Sequence, residues 1–163
     1  MYRARGRDEA WIEERIKNDF IRNELTDEWN YRGATTSMQF AILTNELNEG
    51  TFGFSVQAYK RYKLLPSKAN LRDHMTNLEL VLCSLSEATT IELHRDRDSQ
   101  GFSQLRRDTV DAGKTAGEAR QLVEKTLGKS VVSSENFLDT KQVKGKKQQE
   151  PSGPTLFDEP QES

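Results

Sequence analysis

Asn70 to Asp96 reads NLRDHMTNLELVLCSLSEATTIELHRD, and this stretch decides the fold. It contains a helix start at Thr76-Asn77-Leu78-Glu79. The Thr76 hydroxyl can accept from the third backbone N–H while the Glu79 carboxylate reaches back to the Thr76 N–H. At 3.6 residues per turn, Leu78, Val81, Leu82, Leu85, Ala88, Thr89 and Leu93 fall on one arc, the pattern of a core-facing stripe. Leu80 and Ile91 lie roughly opposite and Cys83 lies to one side. A helix that is apolar on two sides is covered on two sides, so residues 77–97 are expected to form a central helix onto which the others dock.

Downstream, Arg97 to Gly101 is a connection, and a long helix is expected over about 102–127. Its stripe is Leu105, Thr109, Ala112, Ala116, Ala119, Val123 and Leu127, with Gly128 as the stop. The middle is small: Ala112, Gly113, Ala116, Gly117 and Ala119. Each interior glycine costs about 1 kcal/mol against alanine. Close approach of another backbone compensates, either from the central helix or across a homodimer interface. Upstream, Asp8 caps a helix whose stripe Ile12, Ile16, Phe20 shifts to Ile21, Leu25, Trp29, so a kink or a second helix capped by Thr26 is expected before Gly33. Ser37 is expected to cap a helix carrying Phe40, Leu43 and Leu47 and ending near Gly50. A turn follows at Thr51 to Phe54, with Phe52 and Phe54 in the core. Ser55 starts a short helix halted by Pro66, and Ser67 caps one more turn. Val131-Val132-Ser133 suits a short extended segment. The class is all-α. Its expected organisation is a lead-in over 1–7, a helical domain over 8–139 and a polar, Pro/Gly/Gln/Lys-rich tail over 140–163 that reads as disordered.

The 163 residues are 34% hydrophobic and 31% charged, below the roughly 45–50% apolar share of ordinary domains, so some of the chain lies outside any core. A net charge of −2 argues against strong non-specific attraction to DNA or anionic membrane. The one cysteine, Cys83, cannot form an internal disulfide and sits among leucines as a small core residue. No apolar run nears the roughly 20 residues of a membrane span, and MYRARGRDEAW has no signal-peptide core. A soluble, cytoplasmic protein is the expectation.

Sequence patterns for common chemistries are missing: a Gly-rich phosphate loop, Gly-x-Ser-x-Gly, or Cys and His at zinc spacing. His74 and His94 stand at opposite ends of the central stretch. A helix of that length spans about 30 Å, so they cannot share a metal, and surface or helix-end roles are expected. Glu13-Glu14 and Asp27-Glu28 read as solvated faces. Two basic stretches, Arg3, Arg5, Arg7 and Lys141, Lys144, Lys146, Lys147, are the candidate nucleic-acid contacts. In the tail, Leu156-Phe157 resembles the Leu-Phe ending of sliding-clamp peptides, although Gly153 stands where those have glutamine.

A family resemblance adds to this. Trp11-Ile12-Glu13-Glu14-Arg15 and Arg22 to Trp29 are similar to the region after the Bro-N domain of prophage antirepressor proteins. Leu71 to Leu80 resembles that family's most recognisable block. Gln100-Gly101-Phe102, Ala112-Gly113, Ala116 to Arg120, Leu127-Gly128-Lys129 and Val131 to Phe137 continue it in order. DNA-damage-inducible protein D is a more distant likeness. The resemblance covers roughly Glu9 to Leu138 and lies wholly after Bro-N, so the chain is expected to be a fragment or a stand-alone form of the helical module, and DNA binding inherited from Bro-N does not carry over. The resemblance implies a regulatory protein, not an enzyme, with no catalytic residue, cofactor or metal. It would act by contact with a repressor or a recombination protein. The expected contact surfaces are Arg72, Asp73, His74, His94 and Arg95 at the polar ends of the central helix, and Gly113 and Gly117 on the small-residue helix. The alternative is a nucleic-acid-binding module using the basic residues above.

Overall fold

In the computed structural model, residues 6–138 are described, and they form five α-helices and one 3-10 turn with no strand among them. Helix α1 (Glu9–Arg32) starts where the Asp8 carboxylate accepts from Trp11 N and stops where Gly33 turns left-handed. It is continuous. The expected break at Thr26 does not occur, because the Thr26 hydroxyl donates back to Arg22 O within the helix instead of capping a new one. Ile16 and Phe20 of the expected stripe point to solvent. The inward face is Trp11, Arg15, Asn18, Leu25, Trp29 and Arg32, a 3–4 spacing that mixes polar with apolar.

Helix α2 (Ser37–Phe52) is capped by Thr36, one residue before the expected Ser37, and runs past Gly50 to the left-handed Gly53. Phe52 is buried and Phe54 stacks on Tyr59, so both phenylalanines do enter the core. Helix α3 (Val56–Tyr62) is capped by Ser55 and ends before Pro66, at a turn where Leu64 adopts a positive φ of 59°. The 3-10 turn Leu71–His74 is capped by Asn70, not by Ser67. Helix α4 (Asn77–Arg97) carries the expected capping box in full, with Thr76 and Glu79 each bonding the other's backbone N–H. Helix α5 (Phe102–Leu127) ends at left-handed Gly128. Val131 is buried, but 131–138 runs without strand pairing.

Helix α4 packs against α1, α2 and α5, which is the central role expected of it, although through a different face. Val81 and Leu85 of the expected stripe are each 41% exposed. The buried face carries Glu79, Leu80, Leu82, Cys83, Ser84, Ser86, Glu87, Thr90, Ile91 and His94. Hydrophobicity alone misplaces this face because its polar members find partners on neighbouring helices, which removes the penalty for burying them.

The small residues of α5 meet α2. A Cβ added to Gly50 would stand 2.7 Å from Gly113 C, and one added to Gly117 would fall onto Gly50 O. The glycines are therefore consumed by an intrachain backbone contact with α2, not with the central helix α4, and the expectations of close approach by α4 and of Gly113 and Gly117 as a partner-facing or homodimer surface are corrected. Both are buried. Gly117→Ala should lose about 2 kcal/mol of stability despite its roughly 1 kcal/mol gain in helix propensity, since the obstructing atom is backbone. Gly113→Ala, whose nearest neighbours would lie at 3.2–3.4 Å, should change stability by less. Urea unfolding of the two variants checks the order, and equal losses would contradict the contact.

Candidate functional site

Three polar nodes lie along the buried face of α4, roughly two turns apart. The first is Glu79, with a fully buried side chain. Its Oε1 accepts from Thr76 N (2.8 Å) and Lys63 Nζ (3.0 Å), and its Oε2 accepts from Ser133 N (3.2 Å) and the Tyr59 hydroxyl. Lys63, also fully buried, donates further to Ser133 O (2.7 Å) and Glu135 O (3.2 Å). Burial pushes the Glu79 carboxyl up to about 7 and the Lys63 ammonium down to about 8, because both charged forms are separated from water. This node holds 131–138 onto the helices. Asn136 Nδ2 donates to Lys63 O (2.8 Å) and Phe137 N to His74 Nδ1 (2.9 Å).

The second node joins α1, the 3-10 turn and α4. Arg72 donates through Nη1 to Glu87 Oε1 (3.0 Å) and Asn18 Oδ1 (2.7 Å), and through Nη2 to Glu87 Oε2 (2.5 Å). This two-pronged pairing gives the strongest geometry open to an arginine. Arg22 reaches Glu87 only at 3.4 Å and donates to Thr44 Oγ1 at 2.7 Å. Cys83 is buried beside this node, and burial pushes its thiol up to about 11, far from the thiolate range needed for reactivity.

The third node joins α1, α4 and α5. Trp29 Nε1 donates to His94 Nε2 (3.1 Å), and His94 Nδ1 lies 2.8 Å from Asp108 Oδ2. Since Nε2 accepts, the proton of the neutral ring sits on Nδ1 and is donated to Asp108. A charged ring would turn Nε2–H against the indole N–H. Burial lowers the His94 pKa, with the Asp108 carboxylate opposing. Burial alone would raise Asp108. Hydrogen bonds from Ser99, His94, Arg97 and Arg107 outweigh it and hold the carboxyl at about 2. Ser99 donates to Asp108 and not to the imidazole, so the three residues are not arranged as nucleophile, base and orienter.

Most of the residues expected to meet a partner are engaged inside these nodes. Arg72 is in the second. Asp73 Oδ1 accepts from Arg15 Nε (3.1 Å). His74 and His94 each stand in the last turn of a helix, as expected, but neither is a surface residue: His74 is buried and bonds Phe137 N, and His94 is fully buried. Arg95 is 46% exposed and pairs with Glu24 (3.0 Å) and Glu28 (3.1 Å) of α1. The two ends of α4 stay apart, so these residues do not form one site. Arg7 is corrected as a nucleic-acid contact. Its buried guanidinium donates to Asp73 O (2.7 Å) and Met75 O (2.9 Å) and stacks 3.9 Å from the Trp11 ring centre and 3.3 Å from that of Phe137. Arg3, Arg5, Lys141, Lys144, Lys146, Lys147 and the Leu156-Phe157 pair lie outside the described residues.

Lys63, Glu87, Trp29 and Asp108 were not singled out from the sequence as a site. For Glu87 the available signal was polar residues recurring at helical spacing within α4, which is indistinguishable from a solvated face until the helices are paired; Lys63, at the end of α3, and Asp108, on α5, stood among ordinary charged neighbours. Among the described residues, no group of three or more His, Cys, Asp or Glu is placed to hold a metal ion, and no helix is long and apolar enough to cross a membrane. Comparison with protein-family models, curated proteins and solved structures returns no match.

Lys63→Met should cost about 3–5 kcal/mol by leaving Glu79 buried without its cation, whereas Lys63→Met with Glu79→Gln should cost less than the single change. Burial already holds the wild-type Glu79 carboxyl above its ordinary 4.5, and removing the neighbouring cation should push it further up in the single variant. The folded state therefore holds more protons, and stability should recover as pH falls from 8 toward 5. Urea unfolding at both pH values tests this, and a double variant weaker than the single would refute it. His94 carries the opposite sign, since its folded pKa lies below the unfolded 6.5. Its stability contribution is present above about 6.5 and lost as pH falls. Trp29→Phe removes the indole donor, so the His94 pKa, followed by NMR, should rise relative to wild type; an unchanged value would mean that the Trp29 bond does not hold the ring neutral.

Proposed function

We propose that the chain is a regulatory module of the prophage-antirepressor and DNA-damage-inducible type, not an enzyme, working in the cytoplasm by contact with a repressor or a recombination protein. The resemblance of its ordered motifs supports the type. The observation that carries the contact reading is apolar surface on outward helix faces. Ile16 is 50% and Phe20 is 72% exposed on α1, one turn apart, and Val81 and Leu85 form a second such pair on α4. Isolated exposed apolar residues are ordinary, but pairs at i and i+4 present a continuous ridge that a partner can cover. Each side chain so covered contributes roughly 1.5–3 kcal/mol when removed from water. These ridges replace the α4 ends and the α5 glycines as the working surface, because those residues are committed within the chain.

Nucleic-acid binding is the competing reading, and it is weakened by the internal engagement of Arg7 and by the acidic net charge of −2. Titration calorimetry of the purified chain with purified repressor and recombinase candidates tests the proposal. A complex weakened roughly 100-fold by Ile16→Glu with Phe20→Glu, in a variant whose helical circular dichroism is unchanged, is the expected result. In parallel, labelled single- and double-stranded DNA should show no binding across a salt series. Micromolar DNA affinity that falls steeply with salt would transfer the function to nucleic-acid binding.

A further inference from the structure

Between Glu49 and Asp73 the chain carries Lys60, Arg61, Lys63, Lys68 and Arg72 and no acidic residue. Two of these charges are spent inside, Lys63 on Glu79 and Arg72 on Glu87. The other three gather where α3 ends. There the chain folds back over the helix. Leu64 N donates to Arg61 O (3.0 Å), Leu65 N to Lys60 O (2.8 Å) and Lys60 Nζ to Ser67 O (2.9 Å), which brings Lys68 to the same end. Lys60, Arg61 and Lys68 form no ion pair with a described residue. Arg61 is the one described arginine without a hydrogen bond, and its Nε is buried. Next to it Tyr62 is 44% exposed and stacks on Phe54 with 5.1 Å between ring centres. Three cations without a counter-charge beside an open aromatic face fit an occupant that is acidic and aromatic.

The course of the chain brings such a segment to this place. Residues 131–138 are tied to the end of α3, where Lys63 Nζ donates to Ser133 O (2.7 Å) and Glu135 O (3.2 Å) and Asn136 Nδ2 donates to Lys63 O (2.8 Å). Glu135 favours the charged form of Lys63, whereas Lys60 is moved only by burial, which lowers it. The chain after Leu138 therefore starts beside the basic patch. After Lys147 it holds no further basic residue, and it carries Leu156-Phe157-Asp158-Glu159 followed by Glu162. The 18 residues 139–156 extend to at most about 60 Å, far more than the roughly 10 Å length of α3. A tether of this kind holds its end at an effective concentration on the order of millimolar, so even a weak contact is populated. We propose that Leu156 to Glu159 of the same chain docks on the end of α3, with Phe157 covering the open face of Tyr62 and Asp158 and Glu159 pairing with Arg61, Lys60 and Lys68. This self-contact shields the patch from other polyanions.

Cys83 is buried with its thiol pushed up to about 11, so a nitroxide attaches selectively to a cysteine introduced by Ser163→Cys in the full chain. In the NMR spectrum of that chain the amide signals of Lys60, Arg61, Tyr62 and Lys68 should lose most of their intensity, while those of Phe20 on α1 and Lys114 on α5 keep theirs. The loss should shrink as salt rises from about 0.05 to 0.5 M, because exposed charges are screened. It should vanish in Phe157→Ser with Asp158→Asn and Glu159→Gln, which changes no residue of the helices. Arg61→Glu should also abolish it, and Arg61→Glu with Glu159→Arg should recover part of it. Weak, uniform broadening over the whole surface would overturn the proposal. So would an equal loss in isotope-labelled chain mixed with separate nitroxide-labelled chain, which assigns the patch to a second copy. Single-stranded DNA that shifts the same amides equally in the wild type and in the tail variant would overturn it too, since the segment would then shield nothing.

Discussion

Helix α4 carries two carboxylates, Glu79 and Glu87, into the interior, and the arrangement of the other elements follows from having to compensate them. A buried carboxylate is tolerated only with a cation and enough hydrogen-bond donors around it. Glu79 obtains Lys63 from the end of α3, Tyr59 from its middle, and the backbone of 131–138. Glu87 obtains Arg72 from the 3-10 turn and Arg22 from α1. Each carboxylate thus joins segments far apart in the chain, and the apolar clusters fill the space between them. One cluster gathers Trp11, Phe52, Tyr59, Leu80 and Leu82, the other Leu25, Trp29, Leu43, Leu47 and Ile91.

The second constraint is the backbone contact of Gly50 with Gly113 and Gly117. It lets α2 and α5 approach closely, and beside it Arg120 Nε of α5 donates to the Thr51 carbonyl at 2.6 Å. With so many charged groups satisfied internally, the exposed apolar side chains stand out on the surface, the ridges of α1 and α4 among them together with Tyr31, Met38 and Leu122.

Several boundaries were legible in the sequence because they depend on local chemistry. Asp8, Ser55 and Thr76 cap helices, Gly33 and Gly128 end them, and α4 and α5 fall on the expected spans. Faces were less legible. Ile16, Phe20, Val81 and Leu85 follow the pattern of a core stripe and lie outside, whereas Arg15, Asn18, Glu87 and His94 follow the pattern of a solvated face and lie inside. Periodicity sums hydrophobicity along one helix and has no knowledge of a charge waiting on another.

The sequence by itself determined that the chain is helical and where α4 and α5 begin and end, since capping and termination require only neighbours a few residues away; the unbroken α1 and the ends of α2 were not among the boundaries it placed. The tertiary structure alone decided which faces meet, that the α5 glycines are spent on α2, and that Arg7, Arg72 and His94 are structural. These outcomes depend on pairing groups that are tens of residues apart, and the free energy of burying a polar side chain changes sign with the presence of its partner.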